Sequence, residues 1–81
     1  MKTNDLKKGA RVILQNGWKA RIEDNKKGQV RLATVYGYVT EMGSIYAHDI
    51  AYAVVGVEHV AIEHTKQQLD LRNTLERLRA A

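Results

Sequence analysis

The stretch VTEMGSIYAHDI, residues 39–50, holds side chains of the kinds that bind metal ions or transfer protons, namely Glu41, His48 and Asp49. A metal site requires three or four ligands that converge on one point. If His48 and Asp49 lie on one strand, they point to opposite faces and cannot bind the same ion. Glu41 lies across a predicted Gly43-Ser44 turn and could reach either of them, which gives at most two ligands. We therefore expect Glu41 or Asp49 to accept backbone N–H bonds in a turn, and His48 to lie on a half-exposed face.

The other candidates for catalysis are two histidines, one serine and one glycine-containing loop. His59 and His64 are separated by about 140° on a helix and lie on opposite faces of a strand, so they form no two-histidine metal clip. Ser44 is the only serine, and its neighbours do not form the strand-to-helix turn of a serine nucleophile. The tetrapeptide NKKG, residues 25–28, lacks the spacing of a phosphate-binding P-loop. We therefore expect a protein that is not an enzyme and uses no metal and no cofactor.

Length and composition narrow the class of protein further. The chain has 81 residues, which predicts a single domain, 1–81, with a small core. Cysteine is absent, which excludes disulfides and thiolate zinc sites. No apolar run approaches the roughly 18 residues of a membrane span, and the start MKTNDLKKGARV has no apolar segment typical of a secretory signal. These features predict a cytoplasmic protein with no membrane contact.

The charges are distributed unevenly along the chain. Residues 1–31 contain nine Lys or Arg and three Asp or Glu, a balance of +6, whereas residues 32–63 contain four acids and no Lys or Arg, a balance of −4. Residues 64–81 contribute +2, from four basic and two acidic residues. Such a dipolar surface attracts phosphate groups or an acidic patch of another protein. The alternative is that the basic residues only solvate the strand faces.

The segment before residue 36 has the alternating pattern of antiparallel strands joined by tight turns. Asn16-Gly17 predicts a two-residue type I′ hairpin turn, because both of its positions need φ > 0. The second turn is predicted within EDNKKG, residues 23–28, with Gly28 in a left-handed conformation. The period of two predicts these inward residues: Val12, Leu14, Trp18, Ala20, Ile22, Val30 and Leu32. It predicts these outward residues: Lys19, Arg21, Glu23, Gln29 and Arg31.

Further β-forming residues, with breaks at Gly37 and around Gly43, extend the strands to residue 56, and residues 57–63 alternate as a final strand. The period then changes, and helix formers predict an α-helix over 66–79. Thr65 and Gln68 have the spacing of a capping box at its start. The sequence therefore predicts a mainly β protein, a small β-barrel of four to six short antiparallel strands at about 6–63, followed by a C-terminal α-helix.

The N-terminal half resembles an SH3-like barrel of the KOW type. The resemblance covers roughly residues 6–35, and its carriers are Gly9, Arg11-Val12-Ile13-Leu14, Asn16-Gly17, Ala20-Arg21-Ile22 and Gly28. Ala20 lies in the region where such motifs usually have a further glycine. The resemblance implies binding of RNA, ribosomes or transcription machinery without catalysis. A compact barrel with a short helix also looks like the small accessory proteins of bacteria and their phages.

The leading functional hypothesis is a non-enzymatic module that binds nucleic acid, or a protein associated with it, through a basic strand face. Tyr36 and Tyr38 flank Gly37, a turn position, so they are expected to be exposed and to stack on bases, whereas Trp18 is expected in the core. The residues predicted to contact phosphates are Lys7, Lys8, Arg11, Lys19, Arg21, Lys26, Lys27 and Arg31.

The alternative hypothesis is a protein-interaction or regulatory module that binds a host or cellular protein. Its surface would be the acidic and apolar region of residues 36–55, or the leucine stripe Leu71, Leu75 and Leu78, which follows the i, i+4, i+7 spacing of one helix face. Two heptads are too few to predict a coiled coil. The stripe is therefore expected to pack on the barrel, or on its copy in a homodimer.

Overall fold

A computed structural model of the chain describes residues 1–24 and 29–80. It is mainly β, with six antiparallel strands and one C-terminal α-helix, as the sequence predicts. Two short 3₁₀ helices, Thr3–Asp5 and Ala47–Asp49, precede β1 and β5. The strands are β1 (Arg11–Leu14), β2 (Lys19–Ile22), β3 (Val30–Tyr36), β4 (Thr40–Tyr46), β5 (Ile50–Val55) and β6 (Glu58–Ala61), and the helix is α1 (Lys66–Ala80).

The six strands form one open antiparallel sheet with the order β4-β3-β2-β1-β5-β6. Four of the five strand pairs join strands that are consecutive in the sequence. The fifth joins β1 to β5, which are far apart in the sequence. An isolated parallel bridge between Lys2 and Glu63 lays the N-terminal segment beside the end of β6. The long-range β1–β5 pairing places both halves of the chain in a single sheet.

The β1–β2 hairpin forms at the predicted position, but its turn type differs from the prediction. The backbone N–H of Gly17 donates to the carbonyl of Leu14 at 2.9 Å, and that of Leu14 donates to the carbonyl of Trp18 at 2.8 Å. Gly17 has φ 89°, whereas Asn16 does not have positive φ. The loop therefore has three residues and ends in a left-handed glycine. Asn16 accepts a hydrogen bond from the Trp18 N–H through its side chain instead of entering the left-handed region.

The inner face of the sheet carries the hydrophobic core. Val12 and Leu14 of β1 and Ala20 and Ile22 of β2 are buried, as the alternation predicts. Trp18 lies before β2, in the hairpin connection, and keeps 39% of its surface exposed, so the prediction that it enters the core is wrong. The core is completed by Leu6, Ala33, Ile50, Ala53 and Ile62.

Strand β3 has the opposite phase to the predicted one. Ile22 pairs with Ala33 across the β2–β3 ladder, and directly opposite residues share a face, so Ala33 points into the core. Arg31 lies two residues before Ala33, on the same face, and is 1% exposed. Val30 and Leu32 therefore point outward and are exposed. The turn predicted before them, including Gly28, lies outside the described residues.

Residues 40–49 form one continuous strand followed by a 3₁₀ turn. β4 passes through Gly43 and Ser44 without the predicted break, and Ala47–Asp49 form the 3₁₀ helix. His48 is 4% exposed rather than half-exposed. Its ring stacks on Tyr46, with ring centroids 5.2 Å apart and planes 8° from parallel.

Helix α1 begins with the predicted capping box. The Gln68 N–H donates to the Thr65 hydroxyl at 3.2 Å, and the Thr65 N–H donates to the Gln68 side-chain oxygen at 3.0 Å. The helix contacts the 3₁₀ turn Ala47–Asp49, and Leu71 and Leu75 are half-buried whereas Leu78 is 68% exposed. Within the described residues, no helix has the length and apolar character to cross a membrane.

Candidate nucleic-acid interface

The outer face of the sheet, opposite the core, brings basic and aromatic side chains into one row. Tyr36 of β3 pairs with Lys19 of β2, Lys19 pairs with Ile13 of β1, and Ile13 pairs with Tyr52 of β5. Because directly opposite residues share a face, these four side chains project on the same side of four successive strands. The row therefore places a lysine between two tyrosines that come from distant parts of the chain.

A second row on the same face contains two arginines that face each other. Arg11 of β1 pairs directly with Arg21 of β2. Like charges directly opposite on paired strands destabilise a sheet. An anion between the two guanidinium groups would remove this repulsion, so the pair is suited to a phosphate.

Between and beside these rows lies a groove of about 440 Å³. Its lining combines three cations with aromatic and aliphatic side chains, and every lining residue belongs to a strand. The lining residues are Arg11, Val12, Ile13, Lys19, Ala20, Arg21, Tyr36, Val54 and His59.

One carboxylate partly neutralises the basic face. The Arg21 Nε donates to Glu23 at 2.7 Å, and the Thr34 hydroxyl donates to the same oxygen at 3.2 Å. This one hydrogen bond between Arg21 and Glu23 lowers the pKa of Glu23 and raises the pKa of Arg21. Within residues 1–24 and 29–80, no carboxylate lies within ion-pair distance of Arg11 or Lys19. These two cations carry most of the unneutralised charge of the groove.

An aromatic pair lies beside the β3–β4 turn. The rings of Trp18 and Tyr38 meet edge to face with centroids 5.7 Å apart, and Tyr38 is 97% exposed. Gly37 permits this arrangement, because a Cβ at that position would lie 2.5 Å from Cζ3 of Trp18. Tyr36 is also exposed, so the predicted exposure of both tyrosines is confirmed.

The structure brings together only part of the predicted phosphate-contacting set. Arg11, Lys19 and Arg21 share the groove with Tyr36, whereas Lys7 and Lys8 are exposed in the segment before β1 and do not line it. Lys26 and Lys27 lie outside the described residues.

Arg31 has the wrong orientation for the predicted role. Its guanidinium donates to the side-chain oxygen of Asn4 at 2.6 Å and to the carbonyl of Val30 at 2.9 Å. Burial lowers the pKa of Arg31, and the nearby Asp24 charge opposes that effect. This arginine joins the N-terminal segment to β3 and does not reach the outer face.

Glu41 lies apart from His48 and Asp49, which are close to each other. Glu41 pairs with Val35 near one end of β4, whereas His48 follows the other end, about 17 Å further along an extended strand. His48 Nε2 lies 3.6 Å from an oxygen of Asp49. In the described part of the chain, no three histidine or acidic side chains are placed to hold a metal ion.

The residues that sequence reasoning missed are Tyr52, Val54 and His59. Tyr52 and Val54 alternate with Ala51 and Ala53, which indicates a shared face. The local pattern does not reveal that β5 pairs with β1, and this pairing is what places the β5 side chains beside the basic residues.

Comparison of the chain with protein-family models, curated proteins and solved structures finds no match.

Proposed function

We propose that this protein is a non-enzymatic module that binds nucleic acid through the outer face of its sheet. The observation that carries the proposal is the direct pairing of Arg11 with Arg21 beside Lys19, in a groove flanked by exposed tyrosines. Phosphate contacts supply most of the affinity of nucleic-acid-binding proteins. Base contacts and stacking by aromatic side chains add to it.

The spacing of the cations in the groove favours binding of a polyanion over binding of an isolated carboxylate. Arg11, Arg21 and Lys19 lie on two neighbouring strands, which are about 4.8 Å apart. Such closely spaced cations match the regularly spaced charges of a sugar–phosphate backbone. The proposal includes the assignment of the open six-stranded sheet to the SH3-like barrels of the KOW type, because that class of barrel implies the same kind of ligand.

The proposal is tested by titrating the protein into labelled DNA and RNA over a salt series. Arg11→Gln combined with Lys19→Gln should weaken binding and lower the slope of log K against log salt by about 1.4–1.8, the effect of two lost phosphate contacts. The matched control is Lys66→Gln with Arg77→Gln, which removes one Lys and one Arg from α1. Equal effects of the two double variants, or no binding by the wild type at low salt, would contradict the proposal.

A second candidate is a protein partner bound at the β3–β4 edge of the sheet. Val30, Leu32, Met42 and Tyr46 lie on the outer face of these strands and are exposed. β4 is an edge strand of seven residues with no Lys or Pro, the residues that commonly block strand addition. Met42→Ser, which removes the apolar side chain without adding charge to the outer face, would weaken a complex that uses this strip and leave nucleic-acid binding unchanged. An interface through Leu71, Leu75 and Leu78 remains a prediction, with only Leu78 largely exposed.

A further inference from the structure

We infer that the ligand of the outer face is single-stranded nucleic acid whose bases stack on Tyr36 and Tyr52. This inference rests on the proposed function and specifies its substrate class. It follows from the placement of the two rings relative to the cations and from the shape of the surface between them.

Tyr36 and Tyr52 stand at opposite ends of the row that also contains Lys19 and Ile13. Three strand spacings separate them, or about 14 Å. Their exposed fractions are nearly equal, 43% and 44%. The two rings thus flank the cationic centre on both sides, so one strand crossing the sheet can place phosphates on Lys19 and Arg11 and a base on each ring.

Only unpaired nucleotides can both place phosphates on the cations and stack their bases on the tyrosine rings. In a duplex the base faces are covered by neighbouring base pairs, and side chains reach only base edges in the grooves and the backbone. Unpaired bases expose their faces, which stack on aromatic rings without regard to sequence. A duplex bound here would leave the faces of Tyr36 and Tyr52 unused.

The shape of the groove supports the same choice. Readers of duplex DNA insert a helix or a two-stranded ribbon into a major groove about 12 Å wide. The residues that line this groove all come from the sheet itself, and none belongs to α1. The groove is a concave depression of about 440 Å³, within the range of roughly 300–1,000 Å³ that holds a small organic group. A single base with its sugar suits that volume.

His59 extends the platform at the Tyr52 end. The two rings are 6.2 Å apart at an angle of 37°, on neighbouring strands β5 and β6. Tyr36 and His59 line the groove, and Tyr52 lies beside it against His59, so aromatic rings lie on both sides of the cations.

The test compares labelled thymidine and uridine homopolymers of about 12 nucleotides, within known single-domain site sizes, with a mixed-sequence duplex and its separate strands. Fluorescence anisotropy at one fixed salt concentration gives the affinities. We expect the single strands, of DNA or RNA, to bind at least tenfold more tightly than the duplex. Tyr36→Leu and Tyr52→Leu should each lower single-strand affinity about tenfold, the effect of one lost base–ring stack, without changing the salt slope.

The matched control is Tyr46→Leu, which removes a ring of similar exposure on the same face but on the edge strand β4, outside the row of Tyr36, Lys19, Ile13 and Tyr52. All variants are checked for folding by circular dichroism. Duplex binding as tight as single-strand binding, or full single-strand affinity in both Tyr36→Leu and Tyr52→Leu, would overturn this inference and leave the proposed function unaffected. Absence of binding to every nucleic acid at low salt would overturn both.

Discussion

Replacing Gly37 with alanine should release the Trp18 ring from its place against the β3–β4 turn. A Cβ at Gly37 would lie 2.5, 2.7 and 2.9 Å from Cζ3, Cε3 and Cη2 of Trp18, closer than real Cβ contacts allow. The ring is at the surface and can swing outward, which separates it from Tyr38. The change therefore removes an edge-to-face contact and part of the cover of the indole.

The magnitude follows from the cover that is lost. Trp18 is 39% exposed, so most of its surface is covered. Aromatic side chains bury about 150–250 Å², and loss of roughly 70 Å² at about 25 cal/mol per Å² lowers the free energy of unfolding by about 2 kcal/mol. With a urea m-value of about 1–2 kcal/mol per M, the midpoint should fall by about 1–2 M.

Trp18 is the only tryptophan, so its fluorescence reports this change directly. The emission of native Gly37→Ala should shift to the red, and urea unfolding followed by circular dichroism gives the midpoint. Gly43→Ala is the matched control, because no atom of residues 1–24 or 29–80 outside its immediate neighbours lies within 4 Å of a Cβ at that position, and its φ is not positive. If both variants keep the wild-type emission and midpoint, the close packing of Trp18 on Gly37 is refuted.

Three further changes test other parts of the structure. Thr65→Ala removes the helix cap and should lower the free energy of unfolding by about 1 kcal/mol, whereas Thr74→Ala, inside the same helix, should change it by less in the same urea titration. Burial lowers the pKa of His64, so the unfolded state binds a proton more readily than the folded state does. The free energy of unfolding should therefore be highest above about pH 6.5 and fall below it. His64→Leu should flatten the difference in urea midpoint between pH 7.5 and 5.5, and the exposed His59→Leu should not. Arg31→Met should leave the salt slope of nucleic-acid binding unchanged; a reduced slope would place Arg31 on phosphate.

Features that depend on near neighbours in the chain were predictable. The capping box joins Thr65 to Gln68 within one helical turn, and the structure contains both of its hydrogen bonds. The β1–β2 hairpin likewise forms where Asn16-Gly17 predicts it. Its turn type was not predictable from the dipeptide alone, since a three-residue loop uses the same glycine in the left-handed region.

The phase of β3 shows where periodicity stops being informative. Val30 and Leu32 on one face compete with Ala33 and Val35 on the other, and each face has apolar residues. Pairing with β2 decides between them, because it sets Ala33 opposite the buried Ile22. An arginine is then buried and two aliphatic residues are exposed, an outcome that composition alone disfavours.

The candidate site was predicted in part for the same reason. Arg11, Lys19 and Arg21 lie on one hairpin, so local alternation places them on one outer face. Tyr52 joins them only through the β1–β5 pairing, which connects segments about forty residues apart in the chain. A site that spans such a pairing has no local sequence signal for half of its residues.

The inner face of the sheet forms the core and the outer face carries the groove, which explains how so small a chain can fold with several cations close together. Every buried hydrophobic residue of β1, β2 and β3 lies on the inner face, so the outer face is not needed for packing. The pairing of Arg11 with Arg21 there adds like-charge repulsion, which the ion pair of Arg21 with Glu23 offsets in part, in a domain whose net stability is only a few kcal/mol. A polyanion that screens the two guanidinium groups, and binds the folded state more tightly than the unfolded state, would remove this repulsion and stabilise the fold. Ligand binding at this face and stability of the fold should therefore increase together, and the increase should disappear when Arg11 is replaced.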